Sequence, residues 1–129
     1  MGPRLRSPLW LGKDDVDRTL GWLADHNLGL VAVDAPKVSK LPKVVAATAD
    51  IAVVRLHGRA DDTWKARTSS AAERFKYLYN KRQLSPWVKR VEELASEAPE
   101  VHVLFNNCYQ DYGVRNAEDM TELLLNRAD

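Results

Sequence analysis

The sequence predicts an α/β fold with a parallel sheet, and two observations carry that expectation. Three short apolar runs, GLVAV at Gly29 to Val33, IAVVRL at Ile51 to Leu56 and VHVLF at Val101 to Phe105, have the length and β-branched content of strands and barely alternate in polarity. A strand that is apolar on both faces is covered on both, as in parallel sheets packed by helices. Stretches with helical spacing of apolar residues lie between and after these runs, which gives the order of repeated crossover units.

A fourth, shorter strand is expected at Pro3 to Arg6. The first helix follows from Val16, Leu20 and Leu23, at i, i+4 and i+7, behind an acidic first turn of Asp14, Asp15 and Asp17. Ala35 to Ala49, with Pro36 and Pro42, reads as loop. Gly58 to Leu84 is too long for a structureless connection in a compact domain, so a functional loop with a short helix near Ser70 to Phe75 is expected. Ser85 and Pro86 form an N-cap and first-turn pair, with Trp87, Val88, Val91, Leu94 and Ala95 on one apolar face and Pro99 as the stop. The last helix is expected over Tyr112 to Asn126, with Val114, Ala117, Met120, Leu123 and Leu124 inward.

Bulk properties narrow the function. The chain has 129 residues, 45% apolar and 29% charged, which describes one folded domain with a real core. Nineteen basic residues against eighteen acidic ones leave a net charge of +1, so no global field draws nucleic acid or anionic lipid, and any charged partner must be recognised locally. Cys108 is the only cysteine, the opening MGPRLRSPLW lacks a signal-peptide core, and no run approaches the roughly 18 apolar residues of a membrane span. A cytoplasmic protein without a membrane partner is therefore expected. His26, His57 and His102 lack ligand spacing and no G-x-G occurs, so neither a metal nor another cofactor is expected. His26 fits a helix end, and His102 a packing position near the start of its strand.

Strand parity isolates the candidate site. Val53, Arg55 and His57 alternate with Ala52, Val54 and Leu56. A guanidinium does not lie unpaired against an apolar helix layer, so the face bearing Arg55 should look into a lumen or crevice. Asp34, His57, Arg59, Asn106 and Asn107 fall at or near carboxyl ends of strands, as does Arg6. That is where the loops and helix N-termini of parallel α/β folds converge on ligands. Taken singly, each also fits a structural role: Asp34 as a turn cap, Arg55 as a lumen ion pair, Asn107 as a helix cap.

These motifs together resemble the YecE-like family, a bacterial and archaeal domain of unknown function with a TIM-barrel-like fold. The matching pieces are RLRSPLW at 4–10, VAVDAP at 31–36, AVVRLHGR at 52–59, RFKYLYN at 74–80 and LFNNCYQDYGVRNA at 104–117, all in the family's order. Arg4 stands where the family has an acidic residue and Leu9 where it has Ser. The resemblance implies one partial domain over 1–129, the C-terminal half of a TIM-like barrel, against the ~250 residues of a whole one. Half a barrel has open strand edges, which implies a homodimer, pairing with a separate N-terminal half-barrel chain, or a truncated product.

Three functions compete. In the first, Arg6, Arg55 and Arg59, with Asn106 and Asn107, hold a phosphate-containing small molecule or phosphodiester. There His57 acts as general acid or base, and Asp34 orients its imidazole, for a hydrolase-type activity. In the second, the long connection binds nucleic acid: Lys65, Arg67, Arg74 and Lys76 neutralise phosphates while Trp64, Tyr77 and Tyr79 stack on bases. The third is an inactive, partner-dependent half barrel.

Overall fold

The computed structural model describes residues 15–36, 44–59, 76–107 and 109–127. In chain order the elements are helix α1 (Val16–Asp25), strand β1 (Val31–Asp34), strand β2 (Ile51–Leu56), helix α2 (Lys81–Glu97), strand β3 (Glu100–Phe105) and helix α3 (Tyr112–Arg127). The strands form one sheet in the order β1-β2-β3, and both pairings are parallel. The α/β fold with a parallel sheet is thus observed, and all three apolar runs became strands within two residues of their expected bounds. The expected strand at Pro3 to Arg6 and the short helix at Ser70 to Phe75 lie outside the described residues.

Register sorts the side chains into two faces. Val33, Arg55 and Leu104 are neighbours across the sheet, as are Val31, Val53 and His102. The opposite face carries Ala32, Ala52, Val54 and Leu56, which pack with Leu84, Trp87, Val88, Val91 and Leu94 of α2 and Met120 of α3 into the main core. Each large side chain buried there contributes about 2 kcal/mol of transfer free energy. Both helices pack on this side, so among the described residues the cover expected on both faces is seen on one. On the other, Val31 is 43% exposed, Ile51 46% and Leu104 45%. His102 belongs to this uncovered face, half exposed and 3.2 Å from Glu100, and is not the packing residue expected.

Two helices differ from expectation. α2 starts at Lys81, one turn early, because Asn80 and Gln83 form a reciprocal capping box that satisfies two end groups at once. Pro86 therefore sits inside the helix and removes the hydrogen bond that the Arg82 carbonyl would accept. Both residues are exposed, so water serves that carbonyl, and burial of Leu84, Trp87 and Val88 outweighs the loss. In α3 the inward face is rotated: Asn116 and Met120 are buried, while Val114 and Ala117, expected inward, are exposed. The cause is polar, since Asn116 is drawn in by hydrogen bonds. No helix among the described residues is long and apolar enough to cross a membrane.

Candidate functional site

At the carboxyl ends of the strands the backbone ladders run one residue past the sheet. The His57 N–H donates to the Asp34 carbonyl at 2.9 Å, and the Asn106 N–H to the Leu56 carbonyl at 2.8 Å. These extensions bring Asp34, His57, Arg59, Asn106 and Asn107 to one end of the molecule. Arg6 lies outside the described residues. The gathered groups then divide between the two sides of the sheet.

On the helix-covered side, Asp34 is fully buried and anchors a network. Its Oδ2 accepts from Arg59 Nε at 2.9 Å and from the Tyr79 hydroxyl at 2.7 Å, and its Oδ1 accepts from Arg59 at 3.3 Å. The Tyr79 hydroxyl in turn accepts from the Gly58 N–H at 2.8 Å. The Arg59 guanidinium also lies 5.5 Å from the centre of the Tyr79 ring. Burial pulls the Arg59 pKa down, but hydrogen bonds to Asp34 and its charge outweigh that, and the net movement is upward. For Tyr79, burial first and then the charge and hydrogen bond of Asp34 hold the phenol protonated far above its ordinary range.

Gly58 is required here on two counts. Its φ is +97°, a conformation L side chains rarely adopt, and a Cβ would stand 2.7 Å from Cβ of Tyr77. The segment 76–80 thus lies tight over the end of β2, and Asn116 of α3 holds it there. Asn116 Oδ1 accepts from the Tyr79 N–H at 2.9 Å and from Asn107 Nδ2 at 2.8 Å, while its Nδ2 donates to the Tyr79 carbonyl at 2.9 Å. Asn107 Nδ2 also donates to the Tyr77 carbonyl at 2.7 Å. Asn107 is therefore a strap-holding residue buried under Tyr77. Asn116 and the structural part of Tyr79 were missed from sequence; the signal was their place in the YLYN and RNA motifs.

On the uncovered side the geometry is simpler. Arg55, half-buried on β2, meets Asn106 at the end of β3. In the amide orientation that satisfies both groups, Asn106 Oδ1 accepts from Arg55 Nε at 3.1 Å and from one terminal nitrogen. Among the described residues no carboxylate lies within ion-pair distance of this guanidinium.

The proposed base-stacking surface is altered by these contacts. Tyr79 is 2% exposed, so it offers no ring face to a base. Tyr77 is half-buried, its ring edge-on to Tyr79 at 5.1 Å and its hydroxyl on Gln83, and Lys76 lies over the Tyr109 ring at 4.6 Å. Trp64, Lys65, Arg67 and Arg74 lie outside the described residues.

Known proteins resemble this chain in sequence and fold. A family model described as a protein of unknown function, DUF72, matches residues 4–129. UPF0759 protein YunF of Bacillus subtilis strain 168 is 29% identical over 125 residues, which is 92% of this chain and 44% of that protein. The crystal structure of a DUF72 family protein from Enterococcus faecalis V583 superimposes with a TM-score of 0.83 at 28% identity, over 94% of this chain and 46% of that one. A DUF72 family protein from Thermotoga maritima MSB8 gives 0.80 at 32% identity, over 93% and 44%. The chain thus spans about half the length of the relatives it matches, and its parallel α/β fold is half of a TIM-like barrel.

Proposed function

The chain belongs to the DUF72 family, proteins of unknown function, and we propose that it binds an anionic ligand, a phosphate-bearing small molecule, with Arg55 as the binding cation. One observation carries this reading. The guanidinium is half-buried, and among the described residues its hydrogen bonds go to the neutral amide of Asn106 and to no carboxylate. A cation partly withdrawn from water without a counter-ion favours an anion beside it. Asn106 engages Nε and one terminal nitrogen, which orients the planar group while leaving N–H donors for a forked bond to phosphate.

Arg59 has a different role in this reading. Its charge is balanced by Asp34, so it closes the loop after β2 and adds little attraction for a ligand. His57, two residues beyond Arg55, is the group that would give or take a proton were the bound phosphate hydrolysed. The motifs RLHGR and FNN support reading the chain as a YecE-like member of its family, and the lone Cys108 supports a reducing, cytoplasmic setting.

Calorimetric titration at low salt with inorganic phosphate and a phosphomonoester tests the proposal. Saturable binding is expected, weakened at least about tenfold by Arg55→Met, which loses a charge-assisted contact. Arg18→Gln on exposed α1 should bind as the parent does. Equal binding by parent and Arg55→Met, with circular dichroism unchanged, refutes the reading. Release of phosphate from the ester, lost in His57→Ala while binding persists, would extend it to hydrolysis.

A further inference from the structure

A second group of side chains stands at the same end of the molecule as Arg55. Tyr109 and Tyr112, where the chain passes from β3 into α3, have ring centres 5.3 Å apart and planes tilted by 59°. The Tyr112 N–H donates to the Tyr109 carbonyl at 3.0 Å and closes this turn. Gln110 between them has a φ of +48°, a left-handed conformation that few non-glycine residues adopt and that gathers at functional sites. Lys76, exposed on the strap, sets its ammonium 4.6 Å from the centre of the Tyr109 ring. Both tyrosines are only partly buried, so aromatic surface remains in contact with water at this rim.

Two tethers fix this platform beside Arg55. Tyr109 follows Asn106, the partner of Arg55, by three residues, which span at most about 11 Å even when fully extended. Lys76 precedes Tyr77, against which Gly58 packs, and Gly58 lies three residues beyond Arg55. Asn107 and Asn116 clamp the strap that carries Lys76, so the platform is held before any ligand arrives. We propose that Tyr109, with Tyr112 and Lys76 beside it, stacks on a planar heteroaromatic ring, and that the ligand is a free nucleoside monophosphate whose phosphate sits on Arg55. This rests on the reading of Arg55 as the phosphate-binding cation and names the other end of the same ligand. Every nucleobase offers a π face to an aromatic side chain, and Lys76 adds charge that favours the phosphorylated form over the bare nucleoside. The net charge of +1 supplies no field to gather a polyanion, which favours the mononucleotide over a strand.

Calorimetric titration of the full chain compares adenosine monophosphate, ribose phosphate and adenosine. The nucleotide should bind at least about tenfold more tightly than the sugar phosphate, the worth of one stacked base. Tyr109→Leu should erase that preference while ribose phosphate binds as before, and Tyr109→Phe should keep it. Arg55→Met should weaken both phosphates and leave adenosine unchanged. On the unaltered chain, saturation-transfer NMR should mark the base protons of the nucleotide more strongly than its ribose protons. Equal affinity for nucleotide and sugar phosphate overturns the proposal and leaves the phosphate reading of Arg55 standing. Equal binding of ribose phosphate by parent and Arg55→Met overturns that reading and, with it, the ligand named here. A preference that survives Tyr109→Leu also overturns the proposal, as does a single-stranded oligonucleotide that binds more tightly than the monophosphate, since a strand would then be the ligand.

Discussion

Tyr79→Phe removes a single oxygen from the buried network and leaves the ring in place. The hydroxyl donates to Asp34 at 2.7 Å and accepts from the Gly58 N–H at 2.8 Å. A hydrogen bond to a charged group contributes about 1.5–3 kcal/mol, and a buried N–H left without an acceptor costs about 1–3 kcal/mol. The combined loss should be about 3 kcal/mol, a large share of the stability of a domain this size. A pH signature accompanies it. Folding raises the phenol pKa, so in alkali the unfolded chain releases this proton while the folded chain keeps it. The contribution is complete below about pH 10, the ordinary tyrosine value, and is lost as pH rises through the folded-state value. Between those limits one proton gives a slope of about 1.4 kcal/mol per pH unit. Urea unfolding followed by circular dichroism at pH 8 and at stepped alkaline pH measures both quantities. A Tyr79→Phe protein within about 0.5 kcal/mol of the parent, or with the same alkaline slope, would refute this account of the network.

Gly58→Ala should destabilise by at least about 2 kcal/mol, because the backbone is left-handed there and the new methyl meets Tyr77; a melting temperature equal to the parent's would contradict the close approach. Asp34→Asn leaves Arg59 without its counter-charge and should cost about 2 kcal/mol, below the 3–5 kcal/mol of a wholly buried pair because Arg59 remains one-third exposed. Double-mutant analysis with Arg59→Met should show coupling between the two, and additive losses would argue otherwise. Asn80→Ala should cost about 1 kcal/mol through loss of the capping box, and Ser85→Ala much less; the reverse order in urea unfolding would return the helix start to Ser85.

The parts of the fold that could be read from the sequence are those written in apolar pattern. IAVVRL became β2 residue for residue, since no competing signal interrupts a run of β-branched residues. The start of α2 was misjudged because Ser85-Pro86 is a strong local signal, and it hid the Asn80…Gln83 capping box one turn earlier. The face of α3 was misjudged for a different reason. Apolar spacing favoured Val114 and Ala117 inward, but four hydrogen bonds at Asn116 decided the rotation, and three of them reach residues distant in sequence. Parity did assign Arg55 to the face turned away from α2 and α3. It gave no hint that Asp34 and Asn107 would turn to the other side, where tyrosines 77 and 79 meet them.

Asn116 also has a consequence for the order of assembly. As a ribosome extends the chain, β1, β2 and the tyrosine strap are made well before the amide that clamps them, 37 residues beyond Tyr79. Until α3 arrives, the Tyr79 N–H and carbonyl lack the Asn116 amide, and the strap backbone is held through Asn107 at the Tyr77 carbonyl. Until α3 docks, the nascent chain is consequently exposed to proteases and to misassociation at this strap.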